Sequence, residues 1–188
     1  MEILNKMIFK LITSSICLLS LFGGTMKAND PVPYDKIANQ ITNNSSDRLR
    51  KKYRMNIIGV KSGMMHCVNL MGIHFQVNRA LSKEEARAII VDCAKSFLAD
   101  INQNESIRPF LKVYPFDLKH IEIIIFINTP DNGTFYHPDL SVVSVVDGKI
   151  GYDTNDPDHK YRYKLEETES FEDALKIVQT QASSNQTK

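Results

Sequence analysis

The sequence predicts an α+β fold: a two-layer sandwich in which a mainly antiparallel sheet carries helices on one face. Three observations predict it. First, Ile121–Ile127 (IEIIIFI) sets isoleucines 121, 123, 125 and 127 on one side and Ile124 and Phe126 on the other, with Glu122 at its start. Bulky β-branched residues on both sides mark a central strand. Second, residues 67–79 alternate, with Met71, Ile73, Phe75 and Val77 against Gly72, His74, Gln76 and Asn78; period two with one polar side means a strand with one face in water. Third, Ala86, Ile90, Cys93, Phe97 and Ile101 recur at helical spacing, a stripe aimed at a core.

The chain opens on a different kind of segment. Lys6 and Lys10 precede or border an uncharged, mostly apolar run, Leu11–Phe22 (LITSSICLLSLF). This run is shorter than the about 20 residues a spanning helix needs. Gly23-Gly24 breaks it, and Ala28 is a small residue ahead of Asn29. That layout predicts a cleaved signal peptide at 1–28 and export to the periplasm or the medium, with an uncleaved anchor as the alternative. With 1–28 gone, the 23 basic and 22 acidic residues fall to 20 and 21, a net charge of −1. A near-neutral chain is no general nucleic-acid binder. No later segment reads as a membrane span, and what remains is long enough for a full core without metal or disulfide staples.

Residues 29–53 read as a leader and helix, 54–182 as one α+β domain, and 183–188 as a disordered tail. Tyr34 to about Asn43 is helical by its Ile37 and Ile41 spacing, with a weak point at Asn43–Ser46. The basic run Arg48, Arg50, Lys51, Lys52, Arg54 suits a solvated helix face with Leu49 and Tyr53 turned inward; an anionic partner is the other reading. Met55–Lys61 is a strand, and a loop within Gly63–His66 makes it a hairpin with the alternating strand. Ser82 and Glu85 form a capping box at the start of the central helix, which Asn102–Asn104 closes. Pro109 and Pro115 punctuate a connector. Thr129–Gly133 is a turn cluster. Leu140–Val146 is a strand, Asp147-Gly148 a hairpin turn, and Lys149–Tyr152 its return. Asp153–Asp158 reads as an acidic loop, Lys160–Leu165 as an edge strand, and Ser170–Gln181 as a final helix capped by Ser170 with Asp173.

Few residues point to chemistry. Cys67 and Cys93 share inward parity, so a disulfide and two buried thiols are both open. The five histidines are scattered, and His66 and His74 lie too far apart on a strand for one metal. Asp153–Asp158 fails as a calcium loop because Pro157, Asp158 and Lys164 stand where a ligand, a glycine and the closing glutamate belong. There is no GxSxG, Walker loop or GxGxxG, so no cofactor is expected. His120 near Asp117 and His137 near Asp139 are the available acid/base pairs.

Asn104–Phe116 (NESIRPFLKVYPF), with LSKEEAR before it and IEIIIFI after it, resembles a group of small uncharacterised exported proteins of Gram-negative, host-associated bacteria. The resemblance covers roughly Arg48 to Val178. It implies a signal peptide and an α+β domain, and assigns no activity or site residues. Together these readings predict an exported, non-enzymatic binding or interaction module with a protein or envelope partner. Its candidate surface is His74, Gln76 and Asn78 on the open sheet face, or Tyr161 and Tyr163 at the edge strand; Arg108 either pins the connector or faces a ligand. The alternatives are a hydrolase-like enzyme with a pocket near Tyr114, His120 and His137, and a host-directed secreted effector.

Overall fold

The computed structural model describes residues 33–186; the signal-peptide reading at 1–28 and the end of the tail lie outside the described residues. Six strands form one sheet in sequence order: β1 (Asn56–Gly63), β2 (Leu70–Val77), β3 (Ile121–Ile127), β4 (Val142–Val146), β5 (Lys149–Asn155) and β6 (Tyr163–Ser170). All neighbours are antiparallel except β2 and β3, which run parallel in a register from Met71↔Ile121 to Val77↔Ile127. Helix α1 (Tyr34–Tyr53) precedes the sheet, α2 (Lys83–Gln103) crosses from β2 to β3, and α3 (Phe171–Gln186) follows β6. The α+β architecture is thus the one the hydrophobic pattern predicts. The parallel pair is an addition: a hairpin cannot reverse parallel strands, so α2 and the connector carry the chain back.

One face of the sheet and the inward stripes of all three helices share a single core. Met71, Ile73 and Phe75 of β2, the odd isoleucines of β3, Val143 and Val145 of β4 and Ile150 of β5 are essentially sealed from water. Ala86, Ile90, Cys93, Phe97 and Ile101 of α2 meet them. Each large apolar side chain contributes roughly 1.5–3 kcal/mol by leaving water, and a one-residue slip in any central strand would reverse that gain. The register is therefore set by this face.

Local chemistry decides the ends. Ser82 caps α2 by accepting from the Glu85 amide at 3.1 Å, but only half of the capping box forms, because the Glu85 carboxylate pairs with Arg79 instead. Asp147 and Gly148 both have positive φ, the backbone a two-residue hairpin turn needs between β4 and β5. Ser170 caps α3 by accepting from the Asp173 amide. That helix continues through Gln186, into the segment read as a tail.

Two further expectations change, at Asn43–Ser46 and at the acidic loop. The weak point at Asn43–Ser46 is continuous helix. Its hydroxyls are occupied: Ser46 donates to the Asn43 carbonyl and Ser45 to Asp100 on α2, so both face the interior and neither caps an end. The basic run does close α1, with Arg50, Lys51 and Lys52 in its last turn and Arg54 just past its end, Leu49 buried, Arg48 on Asp100 and Lys52 on Asp92. Asp153–Asn155 belong to β5, so the acidic loop is shorter than its composition suggests. Cys67 and Cys93 are free thiols. Cys67 lies in the loop before β2 and so has no strand parity to share. Burial pushes the Cys93 thiol well above its ordinary range, which removes its thiolate reactivity.

The connector is fastened by a residue its own sequence does not contain. The Asn102 amide donates to the Phe116 carbonyl at 2.9 Å and accepts from the Phe116 amide at 2.7 Å. Phe116 itself is buried. Asn102→Ala is expected to lower the urea unfolding free energy by about 2 kcal/mol, because both backbone groups of the buried Phe116 lose their partner.

Candidate functional site

The sheet has a second face, opposite the helices. Partnered residues on neighbouring strands share a face, so the register lines them up in rows. One row runs through every strand: Asn56, Gln76, Phe126, Val142, Asp153, Glu166. Beside it runs Gly59, His74, Ile124, Ser144, Gly151, Thr168. At about 4.8 Å per strand, each row spans roughly 24 Å. Ile124 and Phe126 are half-exposed, which accounts for the double-sided apolar pattern of β3: its second side is the centre of an open face. Ser144, Gly151 and Thr168 give the second row small side chains on its β4–β6 half.

At the β1–β3 corner the face holds a compensated charge cluster. Glu122 is drawn down to 8% side-chain exposure. Lys61 donates to one carboxylate oxygen at 2.6 Å and His74 Nε2 lies 2.8 Å from the other. Burial acts to raise the Glu122 carboxyl, and the bonds from Lys61 and His74 outweigh it, holding the carboxyl below its ordinary value. Gly72 sits between them for a steric reason: a Cβ there would stand 2.9 Å from the Glu122 carbonyl and 3.1 Å from the Lys61 Cβ. Next to this cluster, Gln76 donates to Asn78 and to Asn132 at 2.8 and 3.1 Å, which ties the end of β2 to the turn after β3.

The far end of the row is uncompensated. Asp153 lies directly across from Glu166. Among the described residues no cation stands within bonding distance of either carboxylate. Burial, and then the Glu166 charge, raise the Asp153 carboxyl. Tyr163 adjoins them: burial first, then Asp153 and Glu166, raise its hydroxyl. Asp153→Asn is expected to stabilise the domain by about 0.5–1 kcal/mol at pH 7, since like charges directly opposite repel. The folded pKa is raised, so this gain should shrink as pH falls through it and the native carboxyl takes up its proton. Parallel thermal melts of the two proteins at pH 7 and pH 4 check both the sign and the trend.

No family model, curated protein or solved structure matches the chain. The site is therefore read from its residues alone.

The structure places the predicted residues in three groups. His74, Gln76 and Asn78 gather at the β2 end of the open face, as the alternation of β2 requires. Tyr163 opens β6 on the opposite flank, and Tyr161 stands at the tip of the β5–β6 loop, 92% exposed and at φ 66°. Two clefts, of about 610 and 200 Å³, meet at Tyr161 and share Asp156 and Arg162 as walls. Arg108 is elsewhere: its guanidinium covers the Tyr114 ring at 4.7 Å and reaches the Asn102 carbonyl, so it braces the connector. His120 is held by Asp117 just before β3, whereas His137 bonds Thr154 beyond the other end of that strand. The two histidines are separated by the length of β3, roughly 20 Å. None of the clefts at the β5–β6 loop or between α1 and α2 is lined by Tyr114, His120 or His137.

Glu122, Asp153 and Glu166 are functional candidates that the sequence reading passed over. Glu122 shows a signal in hindsight, a lone charge inside an isoleucine run. Asp153 shows none, because its company of acidic residues resembles a loop.

Proposed function

We propose that this chain is an exported binding module and that the open sheet face is its ligand surface. The observation that carries this reading is the row Asn56–Gln76–Phe126–Val142–Asp153–Glu166. It sets amides, a half-exposed aromatic ring and unneutralised carboxylates side by side on a face that no described helix covers. An amide-and-carboxylate surface around an apolar centre suits a polar partner with hydrogen-bond donors. Retaining a repulsive Asp153–Glu166 pair costs stability, and such costs concentrate where binding needs the group.

Two measurements test it. In fractionated cells, the chain should appear in the periplasm or medium, shortened by its first 28 residues; full-length protein confined to the cytoplasm would rule out export. Separately, the purified chain is immobilised and challenged with a solubilised cell-envelope fraction. Phe126→Ala or Asp153→Asn should reduce retention at least tenfold, while Lys95→Ala on the exposed side of α2 should leave it unchanged. Retention indifferent to the open face would remove that face as the ligand surface.

A further inference from the structure

The two edges of the sheet are unlike. β6 is mostly exposed and carries the exposed charges Lys164 and Glu166, with Glu167 and Glu169 bound to Lys83 and Arg87, so its outer side presents charge to a strand laid against it. β1 has no such defence. Its only charge is Lys61, whose ammonium is bound to Glu122. On its helix side, Val60 and Ile57 pair with the sealed residues Ile73 and Phe75, yet Val60 is 55% exposed and Ile57 also lies open, as does Ile58 at the bulge between them. Among the described residues, no helix closes over these three side chains. An edge with free backbone donors and acceptors and unprotected apolar side chains is a template for another strand.

We propose that β1 pairs antiparallel with β1 of a second copy, across a two-fold axis at Val60. This register is self-complementary. Val60 meets its own copy on the helix side, where both are left uncovered. Lys61 falls opposite Gly59, which has no side chain to oppose it, so the two ammoniums are kept apart. The bulge at Ile58 falls opposite Ser62, outside the central Gly59–Lys61 run that pairs with its own copy. Antiparallel neighbours in one sheet are related by an axis perpendicular to it. The two helical layers therefore lie on the same side, and the two open faces join into one surface of twelve strands. The two edges overlap over residues 57–63, about 23 Å. Its footprint totals roughly 800–1,000 Å² over both copies, the range of weak, exchanging complexes. The dimer should accordingly have a micromolar dissociation constant.

The test is sedimentation velocity on the purified exported chain from 1 μM to about 500 μM, a window set by weak-interface affinities. A monomer–dimer equilibrium is expected. Val60→Lys, and independently Ile58→Lys, should each raise the dissociation constant at least tenfold, with circular dichroism checking that each variant is folded. Glu167→Lys on β6 should leave it unchanged. Val60→Cys should form a covalent dimer under mild oxidation, because directly opposite residues lie within disulfide reach; mass mapping must place the bridge at residue 60. A monomer throughout the range overturns the proposal and assigns the edge to a different occupant. A dimer unaffected by both lysine substitutions overturns it as well.

Discussion

Arg87→Ala should cost roughly 3 kcal/mol of folding stability, the scale for breaking a buried ion pair by removing one partner. Arg87 lies in the second turn of α2 and is almost fully buried. Its Nε donates to Glu169 of β6 at 2.7 Å, and the Tyr152 hydroxyl donates to the same carboxylate oxygen. The guanidinium also lies 5.7 Å from the Tyr152 ring centre. With Arg87 gone, Glu169 keeps a half-buried charge whose remaining partner is a neutral phenol. Burial, and then the bond to Glu169, raise the Tyr152 hydroxyl, so the phenol stays neutral and offers the carboxylate a hydrogen bond but no positive charge. Lys83 pairs with Glu167 one turn earlier, and these two bonds are what α2 contributes to the outermost strand. Hydrogen exchange should report the loss as faster exchange throughout β6, with β2 and β3 little changed. Uniform acceleration across the sheet would mean that Arg87 supports the whole core and not the edge.

Glu122→Gln should cost roughly 2 kcal/mol, the worth of charge-assisted bonds in a site with little water. It should also change the pH dependence in a defined direction. Despite burial, the bonds from Lys61 and His74 hold the carboxyl below its ordinary value. Its contribution is therefore complete above the unfolded value and is lost as pH falls through the folded one. Native stability should decline on acidification from pH 5 toward pH 3, and the Gln variant should decline less steeply by the Glu122 share. Urea titrations across that interval measure both curves. Equal slopes would show that Lys61 and His74 do not hold the carboxylate in solution.

Much of the fold is legible because burial writes itself into periodicity. The α2 stripe, the alternation of β2 and the Asp147-Gly148 turn each state their geometry within a few residues. What stays illegible is non-local. Nothing near Ser45 or Ser46 announces that Asp100 will receive a hydroxyl, so two serines after two asparagines read as a break. The parallel β2–β3 pair leaves no local mark, because β3 looks the same whichever way its neighbour runs. The site is legible only in halves: His74, Gln76 and Asn78 follow from alternation, while Glu122 becomes meaningful once Lys61 and His74 arrive from two other strands. Asp153 requires knowing that Glu166 sits opposite.

That parallel pair also orders events as the chain folds. β3 to β6 form a run of antiparallel neighbours, with the β4–β5 turn closed by two residues, and contacts between near neighbours form quickly. Met71 reaches Ile121 only after α2 and the whole connector have been spanned, and loop-closure entropy opposes that step until the core repays it. The C-terminal strands should therefore gain protection first in pulse-labelled refolding, with the β1–β2 hairpin docking later onto the waiting edge of β3. Until it docks, that edge and its isoleucines stand open, so refolding yield should fall with protein concentration even where the finished protein stays in solution.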